Sequence, residues 1–137
     1  IDDYMESEEK YRANMEYYKR EIAKCTYRQF TTGFYFGKTD SESQIYDNNT
    51  YVKNYTYIGT VREVTPDGCV CFEQKNKFLV GEKLEAMGFD GTNIECEVQA
   101  IYDEEENSMD SAPHPKQKLR VKLDKELETG IILRRKE

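Results

Sequence analysis

The chain has 137 residues, and its 27 acidic side chains outweigh 20 basic ones to give a net charge of −7. The length suits one domain with a modest core. The acidic balance argues against broad, nonspecific nucleic-acid binding, although it leaves room for a local basic face. No apolar run approaches the roughly 20 residues needed to cross a bilayer, so no membrane partner is expected.

The first part of the chain predicts one amphipathic helix over residues 3–23. Its apolar and aromatic side chains recur on one stripe, with charged residues on the other side. The stripe consists of Tyr4, Tyr11, Met15, Tyr18 and Ile22. Such a stripe is typical of a docking face, whose partner is either the domain that follows or one that precedes it. Because the sequence begins at Ile1 rather than Met, we expect it to be a piece of a longer polypeptide.

Three consecutive aromatic residues stand between two glycines in residues 31–37. In an extended segment, Phe34 and Phe36 would point to one face and Tyr35 to the other. We expect the segment to lie in a hydrophobic groove, either as plain core packing or with Tyr35 belonging to a binding surface. The polar residues 38–54 that follow predict a surface loop.

From residue 55 onward the pattern is that of β-strands. Residues 55–64 and 69–74 flank a Pro-Asp-Gly turn, and residues 94–102 and 118–123 alternate apolar with charged side chains. If the last two stretches are neighbours, acidic Glu95 and Glu97 could pair with basic Lys118, Arg120 or Lys122. About six or seven short strands without interleaved helices predict a mainly β fold, a small closed antiparallel barrel preceded by one amphipathic helix.

The four cysteines do not predict a metal site. No Cys-x-x-Cys pair is present, so the usual zinc pattern is missing. The cysteines are Cys25, Cys69, Cys71 and Cys96. We expect them to be free thiols, mostly in the core, of a protein in the reducing cytoplasm.

Catalytic candidates are also few. His114 is the only histidine, and because no nucleophile stands next to it, we expect a structural or surface role. The acidic run over residues 103–106 could hold a cation weakly, but a solvated charge run is favoured. Residues 82–110 carry ten acidic side chains and one basic, whereas residues 111–137 carry eight basic and four acidic.

Several short motifs occur together, each weak by itself and fairly specific as a set. In chain order they are Thr32-Gly33-Phe34-Tyr35-Phe36-Gly37, Glu73-Gln74-Lys75-Asn76-Lys77-Phe78, Gly81-Glu82, Ala112-Pro113-His114-Pro115 with Gln117, and Leu133-Arg134-Arg135. By these motifs, residues 31–136 resemble the C-terminal domain of the collagenase-like bacterial peptidase family. The resemblance implies a connecting helix and linker over residues 1–30, and a barrel like that of translation elongation factors over residues 31–137.

The resemblance also implies that catalysis belongs to another domain. In the family, the barrel follows a larger catalytic domain, which would be the first partner of this chain. Some members are described as proteases acting on collagen. Others are needed for hydroxylation of RNA, including tRNA at the wobble uridine, and carry an iron–sulfur cluster on cysteines of the catalytic part. The resemblance therefore implies no cofactor in this chain itself.

The best binding candidates are aromatic and basic. Aromatic side chains stack on bases or apolar groups, and lysine and arginine meet phosphates or carboxylates. These candidates are Phe34, Tyr35, Phe36, Lys75, Asn76, Lys77, Arg134 and Arg135. The first hypothesis is a noncatalytic accessory domain that helps the parent enzyme hold RNA or a protein substrate. The alternatives are a module bracing the catalytic domain or a dimer, and a fragment with peptidase activity of its own.

Overall fold

The structure, a computed structural model, describes residues 1–25, 32–39 and 53–137. The chain divides into two compact units, Ile1–Tyr55 and Thr56–Glu137. The predicted domain boundary between residues 30 and 31 and most of the predicted surface loop lie outside the described residues. Both therefore stay predictions.

The first unit contains short helices where the sequence predicted one continuous helix. They are α1 (Asp2–Glu6), α2 (Glu8–Ala13) and α3 (Met15–Ile22). Ser7 interrupts the helical path because its backbone is extended, with φ −163° and ψ 130°. Its side chain accepts a hydrogen bond from Lys10 N at 3.2 Å and so serves as the N-cap of α2.

Asp3 ties the helices into a folded-back arrangement. Its carboxylate accepts hydrogen bonds from Asn14 Nδ2, at 2.8 Å, and from the Tyr18 hydroxyl. A straight helix would place these two partners about 16 and 22 Å further along its axis. The predicted tyrosine stripe forms a cluster, with Tyr4 and Tyr11 ring centroids 5.5 Å apart. No residue of the three helices is buried.

The rest of the described chain is mainly β, as predicted. Its strands are β1 (Tyr55–Thr60), β2 (Glu63–Val64), β3 (Cys69–Glu73), β4 (Phe78–Leu79), β5 (Lys83–Met87), β6 (Asn93–Tyr102), β7 (Ser108–Met109), β8 (Ser111–Ala112), β9 (Lys118–Leu123) and β10 (Ile132–Lys136). The described pairings are antiparallel. The predicted Pro-Asp-Gly turn is confirmed by Gly68 N, which donates to Thr65 O at 2.8 Å.

The main sheet is open, so the predicted closure of the barrel is wrong. Its strands follow the order β1-β10-β5-β6-β9-β3-β2, with β7 paired to β6 and β4 paired separately to β8. Among the described residues no ladder joins β1 to β2 at the two ends of this path. Lys75 N donates to Ile58 O at 2.8 Å, so the segment after β3 contacts β1 through a backbone bond. The sheet stays open because β2 pairs only two residues with β3 and is too short to continue the sheet.

The hydrophobic core confirms one predicted alternation and corrects the other. Within residues 118–123 the apolar side chains are all buried. In β6, Val98 is buried as predicted, but Ile101 then takes the core position expected of Ala100 and Tyr102. The pairing with β9 shifts register between Val98 and Ala100. Such a bulge moves the following side chains to the opposite face.

The predicted ion pairs between β6 and β9 are wrong. The ladder joining these strands begins only after Glu95 and Glu97, so neither faces the basic residues of β9. Glu95 pairs instead with Lys83 at 3.0 Å. Arg120 of β9 pairs with Asp67 at 3.1 Å.

Candidate functional site

The three consecutive aromatic residues lie on the surface in turns, not in the predicted extended segment. Phe34, Tyr35 and Phe36 are 78, 85 and 82% exposed. Tyr35 N donates to Thr32 O at 3.1 Å, which closes the first turn. Gly37 N donates to Phe34 O at 3.2 Å and closes the second. The expected packing into a groove is therefore wrong, and all three rings are accessible to a partner.

The basic turn over residues 75–77 is held from inside by the residue before it. Gln74 is fully buried, and its Nε2 donates to Asn76 O at 3.1 Å and to Ala112 O. Asn76 Nδ2 donates to Tyr57 O at 2.8 Å. The Asn76 side chain is thus committed to the fold, while the lysines on either side of it are exposed.

Three of the other motifs behind the family resemblance converge on this turn, namely those at residues 81–82, 112–117 and 133–135. Gln74 N donates to Gln117 O at 2.9 Å, which joins the motif of the turn to one of them. The Arg135 guanidinium donates to Lys77 O at 3.1 Å and contacts the Glu82 carboxylate at 3.2 Å. Segments far apart in the sequence therefore form one continuous surface. We call this surface, formed by Lys75, Asn76, Lys77 and Arg135, the basic-turn surface.

Arg134 lies apart from the basic-turn surface. Neighbouring residues of a strand point to opposite faces, and Arg134 is only 7% exposed. Its Nε donates to the Glu85 carboxylate at 2.7 Å, and its Nη2 donates to Asn93 Oδ1 at 3.3 Å. The structure thus brings together Lys75, Asn76, Lys77 and Arg135, but not Arg134.

His114 is exposed, as the predicted surface role requires. Its carbonyl accepts a hydrogen bond from Gln117 N at 3.4 Å. Within the described part of the chain, no nucleophile or carboxylate is hydrogen-bonded to the imidazole. His114 therefore forms no base–nucleophile pair with any described residue.

A cleft that the sequence analysis did not identify opens beside the basic-turn surface. It has a volume of about 340 Å³ and lies between β1 on one side and β3 and β9 on the other. The lining includes the side chains of Tyr57, Thr60, Arg62, Glu73, Lys75 and Lys118.

Two cations of the cleft have no ion-pair partner among the described residues. Lys75 pairs with Glu73 and, with the charges of nearby lysines, lowers the pKa of that carboxyl below its usual value. Glu63 is a second carboxylate in the lining. Among the described residues, neither Arg62 nor Lys118 forms an ion pair or a side-chain hydrogen bond. The lining therefore holds three cations against two carboxylates, and the side chains of Arg62 and Lys118 can contact an anionic ligand.

The aromatic wall of the cleft is fixed in position. The Tyr57 hydroxyl lies 2.9 Å from Thr60 Oγ1 in a hydrogen bond, while its side chain remains 41% exposed. Between them, Gly59 lets β1 approach β3 closely. A Cβ at this position would lie 2.5 Å from a ring carbon of Phe72 and 3.1 Å from Glu73 O. The shape of the cleft thus depends on a glycine.

Other chemistry finds little support in the described residues. No group of three or more His, Cys, Asp or Glu side chains there could hold a metal ion. The free cysteines are buried at Cys69 and Cys96, half-buried at Cys71 and exposed at Cys25. Burial raises the pKa of the Cys96 thiol to about 11. None of the described helices is long and apolar enough to span a bilayer.

These observations define a small antiparallel β domain with an open, cationic cleft beside a basic turn. The model of the Peptidase family U32 C-terminal domain matches residues 53–134. The chain therefore belongs to this family, as its motifs predicted.

Known relatives agree with this assignment. The chain is 29% identical over 136 residues to the tRNA hydroxylation protein P1 of Bacillus subtilis (strain 168), and this match covers 98% of the chain. The chain spans about a third, 32%, of the length of that relative. Two crystal structures of the C-terminal domain of a U32-family protein from Geobacillus thermoleovorans are also similar. They match with TM-scores of 0.53 and 0.52 and identities of 28 and 30%, covering 58 and 59% of this chain and 99 and 91% of theirs.

Sequence reasoning missed Tyr57, Arg62 and Lys118 as possible ligand contacts because each looked like an ordinary strand residue. One signal was available. A glycine inside a strand pattern often marks a close backbone approach, and Gly59 stands between Tyr57 and Arg62.

Proposed function

We propose that this chain is a noncatalytic, substrate-holding C-terminal domain of a U32-family protein, and that the substrate it holds is RNA. The observation that carries the proposal is the pair of uncommitted cations, Arg62 and Lys118, in a cleft beside the exposed Tyr57. Cations contact phosphates, and aromatic rings stack on bases. The name of the Bacillus subtilis relative, a tRNA hydroxylation protein, points to the same class of substrate.

The basic-turn surface extends this contact area. Lys75 and Lys77 are exposed at the turn, and Arg135 is half-buried beside it. In the proposed complex the two lysines contact phosphates at the rim of the cleft, while Asn76 holds the turn in place through its bond to Tyr57 O. The exposed rings of residues 34–36 belong to the other compact unit and are a separate candidate for base stacking. The net charge of −7 restricts binding to such local features and disfavours indiscriminate attachment.

A salt titration tests the proposal. Binding of a labelled single-stranded RNA to the 137-residue chain should weaken about tenfold or more between 50 and 200 mM salt, because several phosphates are neutralised. Lys75→Ala combined with Lys77→Ala should weaken binding further at low salt. Lys125→Ala is the matched control, since Lys125 is exposed and its one ion pair with a described residue is with the adjacent Asp124 at 3.8 Å. Equal affinity at both salt concentrations would count against RNA as the substrate.

In this proposal, catalysis belongs to a preceding catalytic domain of the same polypeptide, which is the intramolecular partner of this chain. The protein is cytoplasmic, and any iron–sulfur cluster belongs to the catalytic domain. A peptidase assay of the purified chain addresses the alternative that the fragment cleaves peptide bonds. No turnover is expected, because His114 has no hydrogen-bonded nucleophile among the described residues. Turnover that His114→Ala abolishes would overturn the noncatalytic assignment.

The helical unit favours a second function, bracing of the parent protein. None of its helical residues is buried, and Tyr4 and Ile22 are 53 and 55% exposed. Such a face is suited to docking on another domain or a second copy. If Tyr11→Asp with Tyr18→Asp disrupts assembly of the full-length protein but spares RNA binding by the chain, bracing is the role of this unit.

A further inference from the structure

The cleft beside β1 has the size and chemistry of a subsite for one nucleotide. We infer that it receives a single unstacked nucleotide of a single-stranded RNA, with the base against Tyr57 and a neighbouring phosphate held by Arg62 and Lys118. This inference rests on the proposed function and narrows it, because it selects single strands over duplexes and assigns the contact to residues outside the recognised motifs.

The size of the cleft supports a ligand as small as one nucleotide. Its volume of about 340 Å³ lies at the lower end of the roughly 300–1,000 Å³ found for small-molecule pockets. A pocket of this size suits a small unit such as one nucleotide and is too small to take a double helix. In an A-form duplex the bases are stacked and paired inside, so a recessed aromatic ring has no base face to contact.

The aromatic wall supports stacking of a base on Tyr57. Tyr57 presents 41% of its surface and is restrained by its hydrogen bond to Thr60. A ring that is already fixed loses little conformational entropy when a base stacks on it. Stacking on tyrosine is tolerant of sequence because every base has a π-face.

The charges of the cleft support a phosphate contact by Arg62 and Lys118. The cleft lining contains both signs: Lys75 pairs with Glu73, whose carboxyl also feels the charge of Lys118, and Glu63 is a second carboxylate. Arg62 and Lys118 are left for the ligand, since neither forms an ion pair with any described residue. The ligand should therefore carry an anionic group close to a planar one, as a nucleotide does.

The alternative ligand with the same charge is an acidic peptide. Carboxylates could meet Arg62 and Lys118, but a peptide without aromatic groups would gain nothing from the Tyr57 ring. The two ligands are therefore separated by the Tyr57 variants and by competition.

The test is fluorescence anisotropy with the 137-residue chain, at matched salt, using a labelled single-stranded RNA of about ten nucleotides and the duplex of the same sequence. Crystals of isolated C-terminal domains from a relative indicate that such a domain folds alone. The single strand should bind at least tenfold more tightly than the duplex. Tyr57→Ala should weaken binding of the single strand about 5- to 100-fold, whereas Tyr57→Phe should stay within about twofold.

The charged residues are tested by the salt dependence. Arg62→Ala combined with Lys118→Ala should reduce the slope of log affinity against log salt by about 0.7, the value for one phosphate of a single strand. The matched controls are Lys125→Ala for charge and Phe89→Ala for an aromatic ring, since Phe89 is 89% exposed and lies in a different groove. Neither control should change the affinity or the slope. Thermal melting of each variant confirms that the fold is retained.

The outcomes separate this inference from the proposed function. Salt-dependent RNA binding that is equal for single strand and duplex, or that ignores Tyr57→Ala, Arg62→Ala and Lys118→Ala, overturns the subsite and leaves the RNA-holding role standing. Absence of RNA binding overturns both. Displacement of the RNA by an acidic peptide of equal charge and equal affinity also overturns the subsite, because the cleft would then respond to charge alone.

Discussion

Two regions of the same sheet use arginine in opposite ways. Between β5 and β10, Arg134 is buried and bound to Glu85 and Asn93. In the cleft, Arg62 is exposed and forms no ion pair with any described residue. The first arginine stabilises the sheet, and the second is available to a ligand. The comparison teaches that a cation's value for binding depends on its neighbours in the fold, which a count of charges cannot show.

The largest expected effect comes from breaking the paired arginine. Arg134→Ala leaves the Glu85 carboxylate without its main partner in a largely buried place, which should lower the free energy of unfolding by about 2–4 kcal/mol. Urea denaturation measures the loss. Arg62→Ala, the matched change in the cleft, should alter stability by no more than about 0.5 kcal/mol. Equal losses for the two variants would contradict the distinction between a structural and an available arginine.

The next effect separates the basic turn from the fold that supports it. Gln74→Leu removes the amide donors that hold Asn76 O and Ala112 O. Leaving these carbonyls unsatisfied should cost about 1–3 kcal/mol and loosen the turn that carries Lys75 and Lys77. Denaturation measures the stability, and amide hydrogen exchange over residues 75–77 measures the loosening. Unchanged exchange in a destabilised variant would show that another contact holds the turn.

A smaller effect distinguishes cleft shape from cleft charge. Gly59→Ala adds a methyl group that would overlap the Phe72 ring, so β1 must move away from β3. We expect a loss of about 1–2 kcal/mol in stability and weaker binding of single-stranded RNA, although no charge has changed. RNA affinity equal to that of the wild type would mean that the cleft does not have to keep this shape.

The smallest effect lies in the helical unit, where the charges are paired but exposed. The hydrogen bond from Tyr18, with those from Asn14 and Lys10, lowers the pKa of Asp3 to about 2. A lowered pKa stabilises the fold above the unfolded value of about 3.9, and this stabilisation is lost as the pH falls toward 2. Helical circular dichroism should therefore decrease over that window.

The Asp3→Asn variant identifies the source of that transition. It should lose the pH dependence between about pH 4 and 2, whereas Glu9→Gln, at an exposed position of α2, should keep it. If both variants titrate like the wild type, Asp3 is not the group that holds the helices together.

The sequence predicted the parts of this molecule that depend on local pattern. The alternation over residues 118–123 gave a half-buried strand, and the Pro-Asp-Gly turn gave the hairpin before β3. The shift in β6 at Val98 and Ala100 could not be predicted, because a bulge depends on the register of the partner strand. Ser7 interrupts the predicted helix because its backbone is extended and its side chain caps α2.

The candidate site divides in the same way. The candidate residues Lys75, Asn76 and Lys77 lie beside Arg135, whose guanidinium donates to Lys77 O. The burial of Arg134 could not be read from the sequence, since it depends on Glu85, which lies 49 residues away. Arg62 was missed for the converse reason: only the fold shows that nothing described pairs with it.

The central claim is that the uncommitted cations of the cleft, and not the paired arginines, contact RNA. Nuclear magnetic resonance of the isotope-labelled chain, titrated with single-stranded RNA, tests it most directly. The account predicts that the largest shifts occur at the amides of Tyr57, Arg62 and Lys118, while the Arg134 side-chain signal stays in place. Shifts centred on Arg134 and Glu85, with no change at the cleft, would contradict it.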